Sequence, residues 1–349
     1  MAVQVCSCAS SGRSGCFAMG SPGGILPRGG PATKSRHPPR SDGSGGGPDI
    51  ARGEARGYRL AEDSVIRFGP AGWEYPDWAG VVYPRAAPRS FDRLSYLARW
   101  FTTLEVNATF YRPFPAEVAA RWCERVAGAP AFRFGAKVWR RFTHERESFG
   151  REEVAQVRAA LDRLHAEGRL GAALLQFPWS FRRDPAAEEW LRGVLAALEG
   201  LPLVVEVRHA SWDAPEVLDE LAAAGAGIVN VDQPLFRASI RPAARVTSPV
   251  AYVRVHGRNY RDWFRKGAGR DARYDYLYTS GELEPWAERV RELAGSPRAP
   301  DVYVVTNNHF RGQAVANAKM LESMVEERRV EAPPELLKAF PEALAPFVV

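Results

Sequence analysis

The sequence predicts a (β/α)8 TIM-like barrel of the α/β class, preceded by a disordered N-terminal extension. Three observations carry this: eight short apolar runs recur between residues 65 and 306, stretches of helical period separate most of them, and nearly every run ends in polar or charged residues. Strands alternating with helices favour a parallel sheet, and eight of them favour closure. A closed parallel barrel builds its site from the carboxyl ends of its strands, which accounts for the charged endings.

The runs are 65–69, 103–107, 132–137, 173–176, 203–208, 227–232, 251–256 and 302–308. Phe91, Leu94, Leu97 and Phe101 recur at helical spacing before the second run. Pro115 opens a helix that aligns Val118, Trp122 and Val126, since proline suits the first helical turn. Val154, Val157, Leu161 and Leu164 mark a long helix stopped at Gly168. Pro185 starts another through Leu198, and Pro215 a shorter one ending near Gly225. No helical period runs from Asp232 to Pro249, so an irregular crossover is expected there. Gly257 to Gly281 is long, basic and aromatic, the mark of a lid or of a solvated loop without a role. Gln313 to Arg328 and Pro333 to Phe347 read as closing helices, the second on the barrel's exterior.

Residues 1–57 form the extension and 58–349 a single domain. The extension holds seven Lys/Arg against three acids and so carries +4 of the chain's +6. The domain itself is nearly neutral, which gives little support to nucleic-acid binding. Cys6, Cys8 and Cys16 lie in this Gly/Ser-rich tail without a fourth ligand nearby and read as incidental thiols. No run approaches the roughly 18 apolar residues of a membrane span, and residues 1–30 lack a secretory apolar core. The expected compartment is the cytoplasm, with no membrane association.

Side chains two apart on a strand share a face. With the valines at 205, 207, 229, 231, 253 and 255 under the helices, the lumen receives Glu206, Arg208, Asn230, Asp232, Arg254 and His256; Glu105 and Asn107 follow the same parity. Unpaired buried charge costs several kcal/mol per ion, on the order of what a domain has to spare. Such a set must be mutually paired, functional, or both.

The motifs 72–78 (Gly-Trp-Glu-Tyr-Pro-Asp-Trp), 104–111 (Leu-Glu-Val-Asn-Ala-Thr-Phe-Tyr), Lys137, Thr143-His144, 175–178 (Leu-Gln-Phe-Pro), 206–212 (Glu-Val-Arg-His-Ala-Ser-Trp), Asp232, 252–257 (Tyr-Val-Arg-Val-His-Gly), Asn307-Asn308 and 313–318 (Gln-Ala-Val-Ala-Asn-Ala) stand in one order along residues 65–322. In this the chain resembles the domain of unknown function 72 family, the YecE-like proteins. The resemblance implies a TIM-like barrel and supplies no reaction. Gly69-Pro-Ala-Gly72 and Thr306 depart from the family's usual pattern, at uncharged positions.

Glu105, Glu206 and Asp232 balance Lys137, Arg208 and Arg254 in charge, and planar guanidinium groups suit phosphate or carboxylate. The expectation is an enzyme that binds a small anionic, phosphorylated or carboxylated and sugar-like molecule without cofactor or tightly held metal. Asp232, His256 and His144 are the acid/base candidates, read as rim residues, with Glu206 and Glu105 deeper and ionised. Lys137 is either a Schiff-base amine or an ion-pair partner of Glu105. Arg208, Arg254, Asn107, Tyr111, Gln176, Asn307, Asn308, Trp73 and Trp212 are the substrate-binding candidates. Gly312 either lets backbone approach an anion or merely starts the last helix. Aromatics after nearly every strand could stack on rings or simply anchor loops. Two other readings stand beside this one: a metal-dependent phosphodiesterase or nucleic-acid enzyme using Glu105, Glu206, Asp232 and His256, and a non-enzymatic sensor or scaffold.

Overall fold

The computed structural model describes residues 64–265, 267 and 269–349. The extension expected at residues 1–57 lies outside the described residues, as do residues 58–63. The strands are β1 (Val65–Pro70), β2 (Thr103–Val106), β3 (Arg133–Lys137), β4 (Leu170–Gln176), β5 (Leu203–Glu206), β6 (Gly227–Asp232), β7 (Val250–Val255) and β8 (Asp301–Thr306). All neighbouring pairs are parallel, in the order β1-β8-β7-β6-β5-β4-β3-β2. A parallel bridge between Ala71 and Glu105, with Gly72 N–H donating to the Glu105 carbonyl at 2.8 Å, brings the end of β1 onto β2 and closes the barrel.

The helices are α1 (Arg93–Leu97), α2 (Ala108–Tyr111), α3 (Ala116–Arg125), α4 (Arg151–Ala166), α5 (Pro185–Ala197), α6 (Pro215–Ala223), α7 (Arg270–Arg273), α8 (Ser280–Ala294), α9 (Gln313–Glu326), α10 (Pro334–Ala339) and α11 (Pro341–Leu344). The helix expected over 91–101 is confined to α1, where the Asp92 carboxylate accepts from Leu94 and Ser95 N–H. Helix α8 was not anticipated, because Pro285 lies inside it and interior proline ordinarily breaks a helix. A capping box at its start, with Glu282 accepting from Thr279 N–H at 2.9 Å, was the available sequence signal. The single C-terminal helix expected at 333–347 is two, divided where Pro341 removes a backbone donor.

Apolar side chains fall in two layers. Phe134, Val205, Val253 and Val302 pack under the helices, while Ala172, Leu174, Val204, Val229, Val231, Tyr252 and Tyr303 fill the lumen. On β5 and β7 the expected parity holds. On β6 it is reversed: Val231 is in register with lumen-facing Arg254 and Asp232 with Val255, so Asn230 and Asp232 face outward. The error has a physical source, since a parallel strand is apolar on both faces and its valines do not say which is which.

One glycine makes room for the charged layer above the apolar floor. A Cβ at Gly135 would stand 2.5 Å from the Tyr252 hydroxyl and 3.8 Å from Glu105 Cγ. Its bare backbone lets the Tyr252 ring cross the lumen and donate to Glu105 Oε2 at 3.2 Å.

Candidate active site

Four charged side chains from β2, β5 and β7 form a continuous network in the lumen. Arg254, fully buried, donates through Nη2 to Glu105 Oε1 at 2.7 Å and through Nη1 to Glu206 Oε2. The same Nη1 reaches Gln176 Oε1 at 3.2 Å. Arg208 closes on the other oxygen of Glu206, Nε to Oε1 at 2.8 Å. Burial alone would raise the Glu206 pKa, but Arg254 and Arg208 hold it well below the ordinary carboxylate range. Both carboxylates are therefore spoken for, and Arg254 is a strut beneath the site.

His256 sits in this network and not at the rim. It is fully buried, with Nε2 3.2 Å from Glu206 Oε1 and Nδ1 3.0 Å from the Asn307 amide nitrogen. Nε2 also meets the guanidinium groups of Arg208 at 3.2 Å and Arg254 at 3.4 Å, so both ring nitrogens are engaged. Burial, with Arg208 and Arg254 adding to it against Glu206, pushes its pKa down to about 3, so the ring is neutral. The Trp263 ring stands edge-on to it at 6.3 Å and lies 5.6 Å from the Arg208 guanidinium carbon. Trp263 belongs to the basic aromatic loop after β7, which is built down over the mouth. Its Asp262 is buried and accepts from Asn259, Arg261 and Arg265.

Above the network lie groups whose hydrogen-bonding capacity is not used up among the described residues. Lys137, at the end of β3, makes no hydrogen bond or ion pair among the described residues; Glu105, its expected partner, is taken by Arg254 and Tyr252. The Lys137 ammonium rests 4.2 Å from the centroid of Phe110. Burial and the neighbouring Arg254 push its pKa down to about 7. His144 stands edge-on to the same Phe110 ring at 4.8 Å, on a single π-helical turn, Arg141–Glu145; such turns recur at functional sites. Its Nδ1 is 3.0 Å from Thr143 Oγ1, and Nε2 has no partner among the described residues. Burial, then Lys137 and Arg208, push it down to about 4. Arg208 Nη1 is likewise without a partner among the described residues and is not enclosed. Half-buried Asn107, two residues beyond Glu105, completes this side of the mouth.

Several expected site residues lie elsewhere. Asp232 is outside the lumen, its carboxylate accepting from Arg258 Nε at 2.9 Å and from the Tyr278 hydroxyl. Asp232→Asn is expected to cost about 1–3 kcal/mol of stability, read by urea unfolding, without changing anion binding at the mouth. Trp73 packs on Trp122 and Phe134 under the helices. Trp212 is buried, stacked on Phe181 at 4.9 Å, its indole N–H donating to the Phe181 carbonyl. Both are anchors of the outer core, and neither lines the lumen. Asn308 donates to the Tyr276 carbonyl and to Asn317, tying the mouth loop to α9. Gly312 starts α9 at φ 78°, where a Cβ would press on Val81 and Val82. Tyr111 is 58% exposed at the mouth's edge, against Phe110. Arg258, Tyr278 and Tyr252 are not among the site residues expected from the sequence, although Tyr252 opens the 252–257 motif. Tyr252, two residues before Arg254 on the same strand face, could have been found by parity.

Among the described residues no three His, Cys, Asp or Glu side chains converge as a metal-binding group, and no helix is long and apolar enough to cross a membrane.

No curated protein matches the chain. The family model described as "Protein of unknown function DUF72" matches residues 67–341. A DUF72 family protein from Thermotoga maritima is 31% identical, with 75% of this chain and 99% of that one covered and a TM-score of 0.65. One from Enterococcus faecalis, at 23% identity, covers 75% of this chain and 96% of its own with a TM-score of 0.64, and shows the same fold. With the family's pattern running over residues 67–341 and a solved member at 31% identity covered over 99% of its own length, the chain belongs to the DUF72 family, the YecE-like proteins.

Proposed function

We propose that this protein is an enzyme that binds a small anionic, phosphorylated or carboxylated molecule at the C-terminal mouth of its barrel, with Lys137 and His144 as the proton-transferring groups. The observation that carries this reading is the Lys137 ammonium, which has no hydrogen bond or ion pair among the described residues. In a lumen where Glu105 and Glu206 each hold a guanidinium, Lys137 and the open edge of Arg208 leave positive charge unspent. An anion would supply the missing partner, and Trp263 and Phe110 would wall it from water.

Outward-facing Asp232 and enclosed His256 drop out of the acid/base set. His144 stays in it, neutral near pH 7 and beside Lys137. A metal-dependent phosphodiesterase would need carboxylates free to coordinate, whereas the two in the lumen are bonded to arginine. The scaffold reading is favoured by one observation, the bonding of both carboxylates to Arg254, which accounts for Glu105 and Glu206 but not for Lys137.

The test is a thermal-shift screen of the full chain against phosphorylated sugars, nucleotides, carboxylates and sulfate, each with added divalent metal and with chelator. A ligand at a hundred times its Kd adds about 2.7 kcal/mol. The expected result is a shift of several degrees that chelator does not abolish. A shift seen only with metal would move the assignment to the phosphodiesterase class, and the absence of any shift would favour the scaffold.

A further inference from the structure

We propose that Lys137 is a carbonyl-condensing lysine, whose amine forms an imine with a small aldehyde or ketone that also carries a carboxylate or phosphate. The inference rests on the anion-binding reading of the mouth and names the substrate class within it.

Composition supplies the first argument. The chain holds five lysines, at 34, 137, 266, 319 and 338, among its 47 basic residues. Arginine supplies the other lumen cations, at 67, 208 and 254. Arginine binds anions at least as well, but it cannot give up its proton, whereas a desolvated lysine can. A lysine at this one position is accounted for by chemistry that needs a lone pair on nitrogen.

Geometry supplies the second. The amine has no hydrogen bond or ion pair to break among the described residues, and it rests on the Phe110 face at 4.2 Å. Lys319, by contrast, is buried against Glu322 at 2.8 Å and the Trp100 carbonyl. His144 shares the Phe110 ring with Lys137 and has Nε2 unengaged, so an imidazole able to carry a proton stands beside the amine. Arg208 Nη1 can hold the anionic end of the same molecule. Burial and the adjacent Arg254 favour the neutral amine, with half of it present at about pH 7.

In the step itself the Lys137 nitrogen lone pair attacks the carbonyl carbon and the C=O π pair moves to oxygen. His144 carries the proton from nitrogen to that oxygen, giving a carbinolamine. The nitrogen lone pair then expels the hydroxyl, which takes one further proton and leaves as water. Amine, carbonyl and one proton thus give iminium and water, with no change of oxidation state.

The experiment incubates the full chain near pH 7 with pyruvate or dihydroxyacetone phosphate and cyanoborohydride, then maps the adducts by mass spectrometry. The expected product adds the probe's mass less one oxygen atom to Lys137. It should form on the order of a hundredfold faster than at Lys338, and excess sulfate should suppress it. Lys137→Arg, which keeps the charge, should give none at that position. Labelling no faster at Lys137 than at the other lysines overturns the proposal. If Lys137 is not labelled while sulfate still raises the melting temperature, the imine fails and the anion site stands; if neither is seen, both fail.

Discussion

Arg254→Met is expected to destabilise the fold by about 3–5 kcal/mol, because removing one member of a buried ion network strands the charge left behind. The loss falls unequally on the two carboxylates. Glu206 keeps Arg208 and His256, while among the described residues Glu105 keeps only the Tyr252 hydroxyl as a hydrogen-bond donor. Adding Glu105→Gln to Arg254→Met should therefore recover much of the loss, and adding Glu206→Gln should not, since that change would strand Arg208 as well. Denaturant unfolding of the three variants against the parent measures this coupling. A cost below about 1 kcal/mol for Arg254→Met, the range of an exposed ion pair, would mean that the lumen is wet and the network is not structural.

Lys137→Met is expected to have the opposite profile. Among the described residues no ion pair or hydrogen bond is lost, and a cation held beside Arg254 is removed, so stability should be unchanged or slightly higher. Sulfate binding, in contrast, should weaken by roughly 10–100-fold, the loss of one charge-assisted contact of about 1.5–3 kcal/mol. The sign of its pH dependence follows from the depressed pKa: the ammonium is present below about pH 7 and lost above it. Sulfate keeps its charge across this range, so its affinity should fall as pH rises through 7 in the parent and stay flat in Lys137→Met. Isothermal titration at several pH values reads both effects. A Lys137→Met protein that unfolds would show a structural lysine instead.

The barrel was legible because closure and strand count are written in apolar runs and charged endings. The lumen was legible on β5 and β7, where charged residues alternate with valine and only one parity can bury the valines under helices. It was misread on β6, where Ile228, Val229 and Val231 are apolar on both faces and Asp232 finds Arg258 from a loop 26 residues on. Trp73 and Trp212 stand beside polar motifs, yet each packs on aromatic side chains of the outer core, a tertiary contact that the motif does not encode. The character of Lys137 was open for a different reason. Whether it paired with Glu105 depended on which cation reached that carboxylate first, and Arg254 crosses the whole lumen to do so.

The proposed chemistry requires that Lys137, which has no hydrogen bond or ion pair among the described residues, titrate near neutrality. Trace acetylation of the full chain across pH 5 to 11, followed by mass spectrometry of the peptide bearing Lys137, tests this directly. The rate should rise to a plateau with its midpoint near pH 7, about three pH units below an ordinary lysine. A midpoint near 10, or a side chain that resists acetylation until the protein unfolds, would mean that Lys137 is a paired structural cation and would contradict the account.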